Sequence, residues 1–375
     1  MHISASFDAG NIQVLDASDP ADVRLAIRPD VGDTHYQWFY FRVVGARGIR
    51  CTFRLTNAAG ASYPKAWHGY RVCVSEDRER WSRLDTSFQD GVLSFSVTPA
   101  RDVLYFAYFA PYSQERHLDL LARIGAHPRC RHQMLGLTLD GRDLDALVLG
   151  EPGPDRRAIW VIARQHPGES MAEWFVEGFL ERMVDPSCAL ARSLLDRAVF
   201  YVVPNMNPDG SVRGHLRTNA VGTNLNRAWD APTSATSPEV LLVRDAMDRT
   251  GVDLCLDVHG DEELPYNFVA GAEGIPSWTE RLAALTERFC AAYQIANPDF
   301  QRVHGYPPDP PGQANLSMCT SQVAQRFDAL AMTLEMPFKD NADAPDLAVG
   351  WSPARARRLG ASVLHPIAAV LPTLR

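Results

Sequence analysis

The sequence predicts an α/β domain, a mixed sheet with helices on both faces, preceded by an antiparallel β-sandwich domain. Up to about residue 115, short segments rich in β-branched and aromatic residues are separated by Gly, Asp, Pro and Asn. This spacing is typical of strands joined by tight turns. From about residue 130, continuous apolar runs alternate with longer segments of helical periodicity, which indicates buried strands covered by helices. We therefore expect two domains, residues 1–120 and 121–375.

Individual elements follow from the same two patterns. In the first domain the predicted strands are Tyr36–Val44, Ile49–Leu55, Tyr70–Ser75, Val92–Val97 and Val103–Tyr108. In the second domain the predicted strands are Ala158–Ala163, Val199–Val203, Leu254–Val258 and Ala331–Leu334. The helical patterns there are Ser170–Met183, Pro238–Asp248 and Trp278–Tyr293. The proline-rich run Tyr306–Gly312 is predicted to be an ordered surface loop.

Composition excludes several classes of protein. The net charge of -8 over 375 residues argues against nucleic acid or an anionic membrane as the main partner. We find no signal peptide and no apolar run long enough to span a bilayer. Seven cysteines occur singly, without a CxxC pair, which predicts reduced thiols in a cytoplasmic protein.

Four polar residues lie where the predicted strands of the second domain end. His166 and Glu169 follow Ala158–Ala163, His259 follows Leu254–Val258, and Glu335 follows the last apolar run. The carboxyl ends of neighbouring strands meet at one edge of a sheet, so these side chains are expected to converge. A catalytic zinc ion takes three ligands from His and carboxylate residues and keeps one position for water. We therefore expect one zinc ion on the two histidines and Glu169.

The hydrolytic chemistry also needs a base. A carboxylate outside the metal's ligands must take a proton from water and pass it to the leaving amine, and Glu335 is positioned for this. The HxxE pattern alone is weak evidence, because His259 and Glu262 form a second copy of it. If Glu335 were a ligand instead, the role of base would pass to Glu262.

The order of the motifs is more specific than any one of them. The chain carries His166-Pro167-Gly168-Glu169, Pro204-Asn205-Met206-Asn207-Pro208-Asp209-Gly210, Asn226-Arg227, His259 and Glu335 in that order. In this it resembles the M14 metallocarboxypeptidases, most closely the cytosolic carboxypeptidase subfamily, in which a β-sandwich precedes the catalytic domain.

The resemblance implies a role for each matching residue. His166, Glu169 and His259 would be the zinc ligands and Glu335 the general base. Asn226 and Arg227 would hold the carboxylate of the substrate's C-terminus, and Arg217 would stabilise the oxyanion. These last roles are physically reasonable, because a guanidinium can hold a carboxylate by two parallel hydrogen bonds.

Three positions depart from the family pattern or leave it open. Asn224 stands where members often carry an acid that orients a ligand histidine, and its amide oxygen can accept the same hydrogen bond. Tyr306 is the nearest tyrosine upstream of Glu335, and no role is assigned to it. Asp257 lies two residues before His259, where it either supports that histidine or ends the strand as a polar residue.

The side-chain preference is predicted from the subfamily, which commonly removes C-terminal glutamate. A buried glutamate side chain needs a cation, and Arg326, nine residues before Glu335, is the residue we expect to supply it. The substrates would then be peptides or protein C-terminal tails.

Two other functions stay open. One is a zinc amidohydrolase of the aspartoacylase and succinylglutamate desuccinylase type, which shares the ligands and the base. The other is a non-catalytic module that binds peptide tails, which should have lost a ligand or the base.

Overall fold

The N-terminal part of the chain consists mainly of strands. A computed structural model describes residues 1–374. The strands of this part are β1 His2–Ser4, β2 Gln13–Asp16, β3 Val23–Ala26, β4 Tyr40–Val44, β5 Cys51–Leu55, β6 Val72–Ser75, β7 Ser82–Leu84, β8 Thr86–Gln89, β9 Val92–Val97 and β10 Val103–Ala107.

These strands form two five-stranded sheets, with the orders β1-β4-β10-β6-β7 and β2-β3-β5-β9-β8. The sheets pack face to face through aromatic rings. Phe53 on β5 lies 5.1 Å from Phe106 on β10 and 5.9 Å from Phe41 on β4, between ring centroids. All pairings are antiparallel except that of β3 with β5, which is parallel. The predicted sandwich is therefore confirmed, with one parallel pair that turn spacing does not reveal.

The rest of the chain alternates strands with helices. Its strands are β11 Cys130–Leu137, β12 Asp143–Leu149, β13 Arg157–Ala163, β14 Ala198–Val203, β15 Leu254–Val258, β16 Phe268–Ala270 and β17 Leu330–Glu335. Its helices are α1 Gln114–Gly125, α2 Met171–Val184, α3 Ala189–Leu195, α4 Pro208–Arg213, α5 Pro238–Thr250, α6 Glu280–Ala296, α7 Cys319–Phe327, α8 Pro353–Ser362 and α9 Leu364–Val370.

The seven strands form one mixed sheet in the order β11-β12-β14-β13-β15-β17-β16. The four central strands are parallel, and β11, β12 and β16 pair antiparallel. Alternate residues of β13 enter two separate cores: Ile159 and Val161 pack with α2, whereas Trp160 and Ile162 pack with α5 and α7. Both faces of the sheet are therefore buried, which confirms the predicted α/β class.

The predicted apolar strands agree with the structure to within a few residues, and β9 and β15 agree at both ends. The segment Tyr306–Gly312 is the exposed loop that its prolines predict. Helix α1 runs through residue 120, so the division at 120/121 falls inside a helix and stays a prediction. Among the described residues, no helix combines the length and the apolar character needed to cross a bilayer.

Candidate metal centre

A cavity of about 880 Å³ opens at the carboxyl ends of β13, β15 and β17. The predicted residues His166, Glu169, His259 and Glu335 all line it. Parallel strands end at a common edge, so side chains distant in sequence meet there. The expected convergence is therefore present in the structure.

The tight loop between β13 and α2 carries the first two of these residues. The backbone N–H of Glu169 donates to the carbonyl of His166 at 3.1 Å, and that of Gly168 donates to Leu216 at 2.9 Å. A Cβ atom on Gly168 would lie 2.9 Å from the Leu216 carbonyl oxygen. Glycine is therefore needed for the loop to approach this neighbouring segment.

The two histidines point the same ring nitrogen at one carboxylate. Nδ1 of His166 lies 2.6 Å from Oε1 of Glu169, and Nδ1 of His259 lies 2.8 Å from its Oε2. One potential ligand atom from each of the three residues lies within 4.8 Å of the others, and all three residues are buried. Two imidazoles and one carboxylate are the donor set of a catalytic zinc site, so these residues fit a divalent metal.

The far side of each imidazole ring has a hydrogen-bond acceptor. Nε2 of His166 lies 3.1 Å from the amide oxygen of Asn224, and Nε2 of His259 lies 2.9 Å from Oδ2 of Asp257. An acceptor at Nε2 keeps the proton there and leaves Nδ1 free to bind a metal. Asp257 therefore contacts a candidate ligand and is not merely a polar strand end.

Glu335 lies at the end of β17 and is held apart from the three residues described above. Its Oε1 lies 3.3 Å from the hydroxyl of Tyr306, whose single proton is shared with the closer carboxylate of Asp261 at 2.5 Å. Its Oε2 is buried without a hydrogen-bond partner among the described residues. Burial raises the pKa of Glu335 well above its usual range, against the opposing effect of His259. A carboxyl group with one unpaired oxygen and a raised pKa can take up and return a proton, as a general base must.

Arg217, Asn226 and Arg227 line another wall of the cavity. No described residue forms an ion pair with either arginine. The pKa of Arg227 is lowered by burial and by the nearby charge of Arg217. The amide oxygen of Asn226 accepts from the N–H of Cys319 at 2.9 Å, which leaves its amide hydrogens as donors. These side chains together offer an anion two guanidinium groups that form no ion pair with a described carboxylate.

Arg326 does not line the cavity, and the prediction that it does is wrong. It lies on α7, whose Cys319, Thr320, Val323 and Ala324 are buried. Arg326 faces away from these residues and forms an exposed ion pair with Asp248, at 2.7 and 2.8 Å. The helical periodicity of Cys319–Phe327 places Arg326 on the outer face.

Sequence reasoning also missed several residues of the cavity. Tyr63 comes from a loop between β5 and β6 of the N-terminal domain, and its hydroxyl accepts a hydrogen bond from Arg217 at 2.6 Å. Tyr306 was considered but given no role, and Asp261 was not considered. A tyrosine from another domain leaves no local signal in the sequence, whereas Asp261 follows His259 at a strand end and could have been found there.

Known protein families match both parts of the chain. The cytosolic carboxypeptidase N-terminal domain matches residues 3–109, and the M14 zinc carboxypeptidase family matches residues 118–294. A metallo-carboxypeptidase from Pseudomonas aeruginosa, solved in complex with (2-guanidinoethylmercapto)succinic acid, is 48% identical with a TM-score of 0.98, and each chain is covered in full. The chain belongs to the M14 zinc carboxypeptidase family. The predicted family and the predicted enzyme class, metallocarboxypeptidase, are thereby confirmed.

The chain is also similar to other known proteins. A metallo-carboxypeptidase structure from Burkholderia cenocepacia is 46% identical over the whole of both chains, with a TM-score of 0.97. An uncharacterised protein of Zymomonas mobilis is 50% identical over 100% of this chain and 97% of its own length. Bovine cytosolic carboxypeptidase 3 is 29% identical over 72% of this chain, and the match spans only 30% of the bovine protein.

Proposed function

We propose that the protein hydrolyses the C-terminal peptide bond of peptides or protein tails and depends on one zinc ion per chain. The observation that carries this proposal is the arrangement of one cavity: a buried His-Glu-His cluster, a separate buried carboxylate and two arginines without ion-pair partners. A metal, a base and an anion site are the three parts that a metal-dependent exopeptidase would use on a free carboxyl terminus.

His166, Glu169 and His259 would hold the zinc ion through the two Nδ1 atoms and the carboxylate. When bound, zinc supplies a Lewis acid that polarises a carbonyl and lowers the pKa of water. Asp257 and Asn224 would keep the Nε2 protons of the two histidines in place.

Glu335 would take a proton from the attacking water and deliver it to the nitrogen of the leaving residue. Its Oε2 has no hydrogen-bond partner in the described chain, so the atom is free to accept that proton. The hydroxyl of Tyr306 lies 3.3 Å from the other oxygen and would fix the orientation of the carboxylate while it changes charge.

Arg227 and Asn226 would bind the terminal carboxylate of the substrate. This anion would also relieve the repulsion that lowers the pKa of Arg227 beside Arg217. Arg217 would stabilise the negative charge that develops on the carbonyl oxygen during attack. Because one charge is present throughout and the other appears only during the reaction, the two arginines would affect different kinetic constants.

The preference for a C-terminal glutamate stays a prediction, and Arg326 does not supply the cation that it needs. Among the described residues that line the cavity, Arg217 and Arg227 are the basic side chains other than histidine. Acidic residues line it as well, namely Asp261, Glu262, Glu263, Glu273 and Asp309. Together with the guanidino compound bound by the Pseudomonas enzyme, they favour a C-terminal Lys or Arg as a second candidate. Matched peptides ending in Glu, Leu and Arg would distinguish these preferences.

The alternative functions have less support. A tail-binding module is expected to lack a metal ligand or the base, and all four residues are present in the cavity. An amidohydrolase would share these residues, but the N-terminal match to a cytosolic carboxypeptidase domain favours a peptidase. We also propose a cytoplasmic location, because all seven cysteines are free.

The test uses the Glu335→Gln variant. We expect it to retain about one zinc per chain and to bind peptides, while kcat falls by at least ~10²-fold. The matched control is Glu262→Gln, which alters another buried acid of the same cavity. His166→Ala should lose both zinc and activity. Zinc loss in Glu335→Gln would make Glu335 a ligand, and full activity in metal-free protein would exclude the mechanism.

A further inference from the structure

The segment that carries Arg217 is held from outside its own domain. Asp30, in a loop of the N-terminal domain, is 2% exposed. Its carboxylate accepts the backbone N–H groups of Leu216 at 2.7 Å, Arg217 at 2.8 Å and Thr218 at 2.9 Å. The Thr218 hydroxyl donates to it at 3.0 Å. Three successive N–H groups that converge on one carboxylate form a backbone nest, which fixes the conformation of the segment.

Backbone contacts across the same boundary leave the segment little freedom. The side-chain amide of Asn11 donates to the carbonyl of Gly214 at 2.9 Å. Gly32 and Gly222 both have positive φ and face each other. A Cβ on Gly222 would lie 2.4 Å from the Gly32 carbonyl oxygen, and one on Gly32 would lie 2.9 Å from that of Val221. The two domains therefore meet backbone to backbone beside Arg217.

The guanidinium of Arg217 has a partner from the N-terminal domain as well. Its Nη1 donates to the hydroxyl of Tyr63 at 2.6 Å, and no described carboxylate lies within ion-pair distance of it. The backbone of Tyr63 is itself clamped by the buried side chain of Gln37, which accepts from its N–H at 2.8 Å and donates to its carbonyl at 3.1 Å. Both ends of Arg217 are thus positioned by residues from loops of the N-terminal domain.

We propose that Asp30 and Tyr63 are positioning residues for Arg217, so that the N-terminal domain is part of the catalytic apparatus and not an accessory to it. The inference rests on the proposed function, in which Arg217 stabilises the oxyanion. An oxyanion donor contributes only when it is held in place before the charge develops. The nest places the backbone of Arg217, and the hydroxyl of Tyr63 directs its guanidinium.

The kinetic test is a double-mutant cycle in the full chain. A hydrogen bond to a charged group corresponds to roughly a tenfold to hundredfold effect, so Tyr63→Phe should lower kcat by at least about tenfold with KM within about twofold. In the Arg217→Ala background, the same change should have no further effect. The control is Tyr36→Phe, which removes a hydroxyl bonded to Asn57 within the N-terminal domain and should leave kcat unchanged.

A second measurement follows the segment without relying on activity. Asp30→Asn replaces an acceptor of three N–H groups with an amide and should loosen the segment. Trypsin should then cleave after Arg217 at least about tenfold faster than in the unaltered protein, as followed by mass spectrometry. Equal cleavage rates would overturn the role of Asp30, and an equal loss from Tyr63→Phe in both Arg217 backgrounds would overturn that of Tyr63. If the unaltered protein cleaves no peptide, the proposed function fails. The trypsin experiment then still tests whether Asp30 fixes the backbone of the segment that carries Arg217.

Discussion

Replacing Asp257 by asparagine should weaken zinc binding without moving a ligand. Oδ2 of Asp257 accepts from Nε2 of His259 at 2.9 Å and from the Gln165 amide at 2.6 Å. An asparagine oxygen in that place would keep both hydrogen bonds but remove the charge. Its nitrogen would replace Oδ1, which is buried and has no hydrogen-bond partner among the described residues. Residues that support metal ligands are worth 10–100-fold in affinity, so we expect Kd for zinc to rise about tenfold or more, or ~1.4 kcal/mol.

A substitution beside His166 can add a negative charge instead of removing one. Nε2 of His166 lies 3.1 Å from the neutral amide oxygen of Asn224. Asn224→Asp would add a negative charge behind this ring and should make it a more basic ligand. We therefore expect zinc binding to tighten in Asn224→Asp and to weaken in Asp257→Asn. The two variants should shift Kd in opposite directions.

The assay is a competition titration of each metal-free variant against a fluorescent zinc chelator, with thermal unfolding as a check on folding. The matched control is Asp253→Asn, because Asp253 precedes the same strand and accepts only from the N–H of Ala158, at 2.7 Å. This control should leave Kd unchanged. Unaltered zinc affinity in both Asp257→Asn and Asn224→Asp would refute the assignment of Nδ1 as the ligand atom.

Three further outcomes are expected. Arg227→Ala should mainly raise KM for peptides with a free C-terminus, because the ground state and the transition state both present that carboxylate to the enzyme. Arg217→Ala should mainly lower kcat. Identical kinetics in the two variants would contradict their separate roles. Removal of zinc by a chelator should abolish hydrolysis, and added zinc should restore it. Burial by itself would lower the pKa of His117, but its interactions with Asp145 and with Glu173 (2.8 Å) outweigh that effect and raise the pKa from 6.5 to about 9. A group whose pKa is raised in the folded state stabilises the fold most below pH ~6.5, and this stabilisation is lost as the pH rises towards 9. The free energy of unfolding of His117→Gln, measured by denaturant titration, should therefore be lower than that of the unaltered protein by up to about 3 kcal/mol at pH 6 and by much less at pH 9. A difference that stays the same at both pH values would contradict this expectation.

The parts of the fold that the sequence predicts are those with a strong local pattern. Strands β13 and β15 are apolar on both faces and flanked by polar turns, so their bounds follow from the residues alone. Strand β11 carries exposed polar residues at the sheet edge, and β16 has three residues, so neither has a pattern that distinguishes it from a loop. The position of β11 depends on its antiparallel pairing with the neighbouring strand β12, and that of β16 on pairing with β17, about 60 residues later.

The candidate site divides in the same way. His166, His259 and Glu335 all lie at or just after the carboxyl ends of predicted strands. Because the carboxyl ends of parallel strands share one edge of the sheet, the sequence predicts that these residues are close together. The contacts of Arg217 with Asp30 and Tyr63 join residues 187 and 154 positions apart, and no local periodicity reports them. For Arg326, closeness to Glu335 along the chain does not predict closeness in space, because the face of helix α7 on which a residue lies decides the direction of its side chain.

The strand order has a consequence for biosynthesis. Strand β17 is the last strand in the chain, yet it lies between β15 and β16 in the sheet. Strand β16 pairs with β17, and about 60 further residues must be synthesised before β17 is available for this pairing. At a synthesis rate of roughly 5–20 residues per second, this delay amounts to several seconds. The nascent chain therefore carries His166 and His259, the proposed metal ligands, well before it carries Glu335. Under the proposed mechanism, hydrolysis would begin only after the sheet is complete.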